Sequence, residues 1–168
     1  MLAQQLVELG FEADTQAHLR EHAIEVALPL LRARQPGLRI VPVCLGPLRV
    51  EQCVELGRRV GRLLSSLPVA ERPLLVASTD MSHYVSAAEA KQQDEHAMQR
   101  IGALDPEGLY REVVSRDISM CGFVPTTTVL AACRQLGATR ATRVRYGTSG
   151  DVTGDQGRVV AYAGFTVA

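Results

Sequence analysis

Apolar positions along the chain switch between helical and strand spacing, and the switches mark out its elements. Residues 1–10 (MLAQQLVELG) read as a short amphipathic helix. Residues 21–34 (EHAIEVALPLLRAR) read as another, with Ile24, Leu28 and Leu31 on one face and Ala27 beside them. Pro29 kinks this helix or ends its first part, because its ring and missing N–H disrupt the preceding turn. Residues 38–45 (LRIVPVCL) have strand character, and Pro42 marks an edge or a bulge. Over residues 50–67 helical spacing returns: Val50, Cys53, Val54, Val60, Leu64 and Leu67 share a side with Gly57 and Gly61. Residues 73–78 (PLLVAS) are apolar without alternation, the pattern of a central strand covered on both faces.

The second half continues the alternation. Residues 87–101 form a charged amphipathic helix. Asp105 is placed to cap the next one, with Pro106 at its first position and an end near Arg116. Residues 126–136 are a more apolar helix stopped by Gly137. Residues 141–146 and 158–167 read as strands joined by the turn-rich stretch TSGDVTGDQG. Such a chain predicts one α/β domain over residues 1–168, a layered mixed sheet with flanking helices.

Composition narrows the function classes. A chain of 168 residues that is 46% hydrophobic sustains a core without disulfides. Eighteen basic residues balance eighteen acidic ones, and no block of like charge stands out, so nothing draws the chain onto nucleic acid or an anionic membrane. Aromatics are 4% and tryptophan is absent, which leaves no stacking platform for bases. Cys44, Cys53, Cys121 and Cys133 form no C-x-x-C pair and read as mostly buried free thiols of a reducing compartment. No apolar run is long enough to span a bilayer, and the first ten residues lack a signal-peptide pattern; a cytoplasmic protein is expected.

Candidate chemistry concentrates at STDMSHY, residues 78–84, directly after the apolar run 73–78. Ligands of α/β sheets gather beyond the carboxyl ends of strands, where the strand holds the following loop rigidly. His83 reads as a general base or a metal ligand, since its proton exchanges near neutral pH. Asp80 would orient it, and Tyr84 would line the same pocket. The alternative is that Asp80 and Ser82 cap the next helix while His83 packs on the sheet. Cys121, in SMCGFVP before a helix, is a second candidate, because a helix N-terminus favours the thiolate; the alternative is a small residue in a tight turn. In HLREHAIE, His18 and His22 stand four apart, as do Glu21 and Glu25. Each pair would share a helix face; the His pair could bind metal, and the alternative is a hydrogen-bonded wall or a solvated face. Ser149 lies in the turn-rich stretch and could line a pocket. There is no G-x-S-x-G and no dinucleotide fingerprint.

Taken together, AHLREHAIEVALPLL, VPVCLGP, STDMSHY, SMCGFVPTT, YGTSGDVTGD and VVAYAGF resemble the Memo-like family, which includes the AmmeMemoRadiSam system protein B. That family is similar in fold to class III extradiol dioxygenases, which open catechol-type rings with non-haem iron. The resemblance implies a metal-dependent oxidoreductase-like function with Fe(II) or copper as cofactor. It implies Cys121 as a metal ligand, His83 as an acid/base beside the metal and Asp80 as its acidic neighbour, with His22 and Glu25 in a family signature. A non-enzymatic module for a small-molecule or peptide ligand is the rival reading, and oligomerisation is compatible with either. Segments like the family's P-H-A-G-Y and P-S-H-H, which carry two further metal histidines, do not occur here. The chain is therefore expected to be an N-terminally truncated form, with an incomplete metal shell and little activity of its own.

Overall fold

The computed structural model describes residues 2–168. They divide into two units, the first ending at Gly46 and the second running Pro47–Ala168.

The first unit holds helix α1 (Leu2–Glu8) and helix α2 (Leu28–Arg34). The helix expected over residues 21–34 thus forms only in its last part. Pro29 sits in the first turn, where its missing N–H has no intrahelical acceptor to lose, so the helix begins there. Residues 23–27 turn without forming a helix. The strand expected over residues 38–45 does not form among the described residues; Ile40, Val41 and Val43 are exposed, and Pro42 offers no ladder donor. Leu6 is the one buried residue of this unit among those described.

The second unit opens with helix α3 (Val50–Ser65). Its expected apolar face is the buried one: Cys53, Val54, Gly57, Gly61 and Leu64. The two glycines set its approach to helix α6 (Phe123–Gln135). A Cβ on Gly57 would lie 2.7 Å from the Ala131 Cβ and collide with the Thr128 carbonyl; one on Gly61 would lie 2.8 Å from the Ala132 carbonyl. The backbones of α3 and α6 therefore meet at a distance that only glycine permits.

Strand β1 (His83–Val85) is followed by helix α4 (Ala87–Gly102), capped by the Ser86 hydroxyl, which accepts from the Glu89 N–H. Helix α5 (Pro106–Ser115) starts as expected, with the Asp105 carboxylate accepting from the Gly108 N–H. Strand β2 (Ala141–Thr148), the short helix α7 (Gly150–Thr153) and strand β3 (Val159–Val167) end the chain. The sheet order is β1-β3-β2 with both pairings antiparallel. Its core cluster joins Ala97, Met98 and Ile101 of α4, Leu109 and Val113 of α5, Leu130 of α6, and Val159 and Ala161 of β3.

The α/β class holds, but the central strand expected over residues 73–78 does not form. That run takes no regular secondary structure and has no strand partner among the described residues, and Leu74 and Val76 lie 83% and 55% exposed. Apolar continuity records a demand for cover, and only a neighbouring strand turns it into a ladder. Cysteine burial also differs from expectation. Cys53 is buried, Cys44 and Cys133 are half-buried and Cys121 is exposed, all unpaired.

The close approach of α3 and α6 makes a direct prediction. Gly57→Ala should lower stability by about 1–3 kcal/mol, the usual penalty for overpacking a filled interface, read as a fall in the urea midpoint at unchanged slope.

Candidate functional site

The candidate site is built where two stretches about forty residues apart in sequence meet: residues 79–84, leading into β1, and residues 119–122, between α5 and α6. The first is held by the sheet. The Met81 N–H donates to the Ala161 carbonyl at 2.8 Å, and the Ala161 N–H donates back to the Ser82 carbonyl at 2.9 Å. The second is tied to the first by three bonds. The His83 N–H donates to Ser119 Oγ (2.8 Å), the Gly122 N–H donates to Thr79 Oγ1 (2.8 Å), and the Asp80 N–H points at Cys121 Sγ (3.5 Å). Gly122 permits this join, because a Cβ there would come within 2.8 Å of the Ser78 carbonyl.

The result is a cluster of three different donors. One ligand atom each from Asp80, His83 and Cys121 lies within 4.8 Å of the others. His83 Nε2 is 3.5 Å from Asp80 Oδ2, yet it is buried and makes no hydrogen bond. Cys121 is exposed, so the cluster opens to solvent on the thiol side. Nitrogen, oxygen and thiol donors together match the ligand preferences of zinc, iron and copper better than those of magnesium or calcium.

Beneath the cluster lies a buried carboxylate. Asp94 of α4 is fully buried and accepts from the Ser82 N–H (2.9 Å), Ser82 Oγ (2.7 Å) and the Tyr146 hydroxyl (2.8 Å). Ser82, weighed as a helix cap, is instead a buried donor to this carboxylate, and Ser86 caps α4. Burial and the Asp94 carboxylate push the Tyr146 phenol well above the ordinary tyrosine range.

The family profile described as Memo-like protein matches residues 2–166. This chain belongs to the Memo-like family. Among its relatives is a MEMO1 family protein of Methanosarcina mazei, 39% identical over 157 residues, which are 93% of this chain and 58% of that protein. A MEMO1 family protein of Aquifex aeolicus is 41% identical over 152 residues, 90% of this chain and 55% of the relative. One of Methanocaldococcus jannaschii is 37% identical over 156 residues, 90% and 54%. The chain spans little more than half the length of these relatives.

Within this Memo-like chain the expected residues fall into three groups. Asp80, His83 and Cys121 come together, giving three donors where the sequence pointed to a cysteine with one nearby histidine. Tyr84 adjoins them, its ring centroid 5.8 Å from that of His83. Ser149 is engaged with backbone: its Oγ accepts from the Val160 N–H (3.1 Å), and Val160 is the strand partner of His83. His22 and Glu25 belong to the first unit and are not members of the donor cluster. They precede α2, so neither the His18 and His22 pair nor the Glu21 and Glu25 pair is arrayed on its surface. His18 instead lies with its Nδ1 3.3 Å from Cys44 Sγ, and burial raises the Cys44 thiol pKa.

Sequence reasoning missed Asp94, Thr79 and Ser119 as positioning residues. Asp94 carried a signal: it stands in helical register with Ala90, Ala97 and Ile101, all buried, so a carboxylate sits on the apolar face of α4. Thr79 and Ser119 carried none, because their bonds depend on the meeting of the two stretches.

Two outcomes are expected. Asp94→Ala should cost about 2–4 kcal/mol in urea unfolding, since it leaves buried donors of Ser82 and Tyr146 unpaired. The Tyr146 phenol is raised in the folded state, so its contribution to stability is complete below the ordinary tyrosine value of about 10 and is lost as pH rises through the folded-state value. Phenolate absorbance, compared between the parent and Tyr146→Phe, should show this one tyrosine ionising late or only with unfolding.

Proposed function

We propose that this chain carries the metal-binding part of a Memo-like, extradiol-dioxygenase-related protein. One observation supports the reading most: Asp80, His83 and Cys121 converge within 4.8 Å, and the buried His83 Nε2 has no hydrogen-bond partner. A buried polar atom without a partner is costly in a native structure and is relieved by binding an ion or passing a proton. The donor set fits Fe(II) or copper, and three protein donors are the usual minimum for a lasting transition-metal site.

Cys121 would hold the metal as thiolate. A bound metal would supply Lewis-acid and redox chemistry toward an oxygen-bearing substrate. The chain's own groups set the rest. Asp80 Oδ2 stands 3.5 Å from His83 Nε2, so its carboxylate would favour a proton held there. Ser119 fixes the His83 backbone, and with it the point from which the ring projects. In that position His83 takes a proton from a substrate hydroxyl at Nε2 and returns it later. In that arrangement the chain supplies fewer than three ligands, and the rest would come from the family-length protein; in a second arrangement Asp80 and His83 would bind the ion directly alongside Cys121, which reaches three. The whole family-length protein, with the residues this chain does not span, would be the active dioxygenase-like form.

Cobalt(II) tests the reading, because a thiolate ligand gives it an intense charge-transfer band. The parent should take up one cobalt with that band, and Cys121→Ser should lose it with at least about tenfold weaker binding. Uptake that is unchanged in Cys121→Ser would sink the proposal. His83→Gln separates the two arrangements: weakened uptake marks His83 as a ligand, and unchanged uptake leaves it as the proton carrier.

A further inference from the structure

Tyr84 is held in an unusual way. On β1, His83 pairs with Val160 and Val85 with Val159, so two steps on β1 oppose one step on β3. Tyr84 is therefore the extra residue of a β-bulge, a device that re-aims a side chain. Its φ is +60°, a left-handed conformation that a bulky L-residue adopts only under strain. The effect is geometric. Neighbouring residues of a regular strand point to opposite faces, yet the Tyr84 ring lies 5.8 Å from the His83 ring. It is also 68% exposed, so core packing does not explain the strain.

The same ring also meets a cation. The Arg158 guanidinium carbon lies 4.9 Å from the Tyr84 ring centroid. Arg158 is exposed and makes no ion pair among the described residues. Asp155, an acid close to it in sequence, accepts from the Gly157 N–H at 2.8 Å. The ring engages the charge of a guanidinium and leaves its N–H donors for an acceptor. An arginine with free donors thus stands one ring away from His83, on a residue strained into that position.

We propose that Tyr84 and Arg158 form the recognition edge of the Asp80, His83 and Cys121 site, and that its ligand bears a carboxylate or phosphate group. Arginine takes such oxyanions through paired N–H bonds, and Tyr84, in ring contact with both Arg158 and His83, links it to the site. The inference rests on the reading of those three residues as the functional site and adds the class of ligand.

The test uses the full chain with benzoate, phenyl phosphate and benzyl alcohol as probes, followed by NMR with the His83 imidazole resonances as the local readout. At least one of the two anions should bind about tenfold or more tighter than the alcohol, in keeping with a charge-assisted hydrogen bond, and should shift the His83 signals. Arg158→Gln should abolish that preference, and Arg158→Lys should keep part of it. Tyr84→Gly relieves the left-handed backbone, so it should leave the fold at least as stable while reducing the preference. No binding of either anion, equal binding of all three probes, or a preference that survives Arg158→Gln would overturn the proposal. Cobalt uptake at Cys121, measured on the same samples, keeps the two readings apart. Anion recognition through Arg158 without a thiolate band defeats the metal reading alone. A thiolate band without anion preference defeats this inference alone.

Discussion

The geometry of the second unit depends on one buried carboxylate. Asp94 takes hydrogen bonds from the Ser82 backbone, the Ser82 hydroxyl and the Tyr146 phenol. These partners belong to the stretch entering β1 and to β2, while Asp94 belongs to α4. Three elements are therefore locked to one pair of oxygens. A charge buried without partners would destabilise the fold by several kcal/mol, so the cooperation is obligatory. Ser82 immediately precedes His83, and this bond network fixes where the imidazole begins.

From that fixed point the cluster follows by short steps. The ladder between residues 81–82 and Ala161 carries the chain into β1. Ser119 then catches the His83 N–H, and Thr79 catches Gly122, which brings Cys121 opposite Asp80. Each step is a backbone N–H meeting a hydroxyl or a carbonyl. Such contacts are short-ranged and directional, and they hold a mixed donor set in place without a dedicated pocket wall.

The three side chains that converge were each singled out in sequence, for identifiable reasons. His83 and Asp80 stood out because polar function clustered after an apolar run; Cys121 stood out beside a glycine before a helix. The charged helix α4 and the capped helix α5 carried local signals, an amphipathic period and an Asp-Pro start, and both appeared as expected. What failed was non-local. The run at residues 73–78 asks for neighbours that the sequence cannot show to be present. Pro29 read as a kink or as the end of a first helical part, and neither formed: residues 23–27 turn, and the helix begins at Leu28 with Pro29 in its first turn. The bulge at Tyr84 was invisible because it exists only relative to β3, whose register is set by Met81, Val85 and their partners.

That bulge also bears on how such a protein can diverge. The strand is paired on both sides of Tyr84, and the exposed ring meets His83 and Arg158 rather than the core. A change there is confined to the surface that a ligand meets. Selection can therefore rewrite what this site accepts one substitution at a time, while the carboxylate lock and the donor cluster stay fixed beneath it.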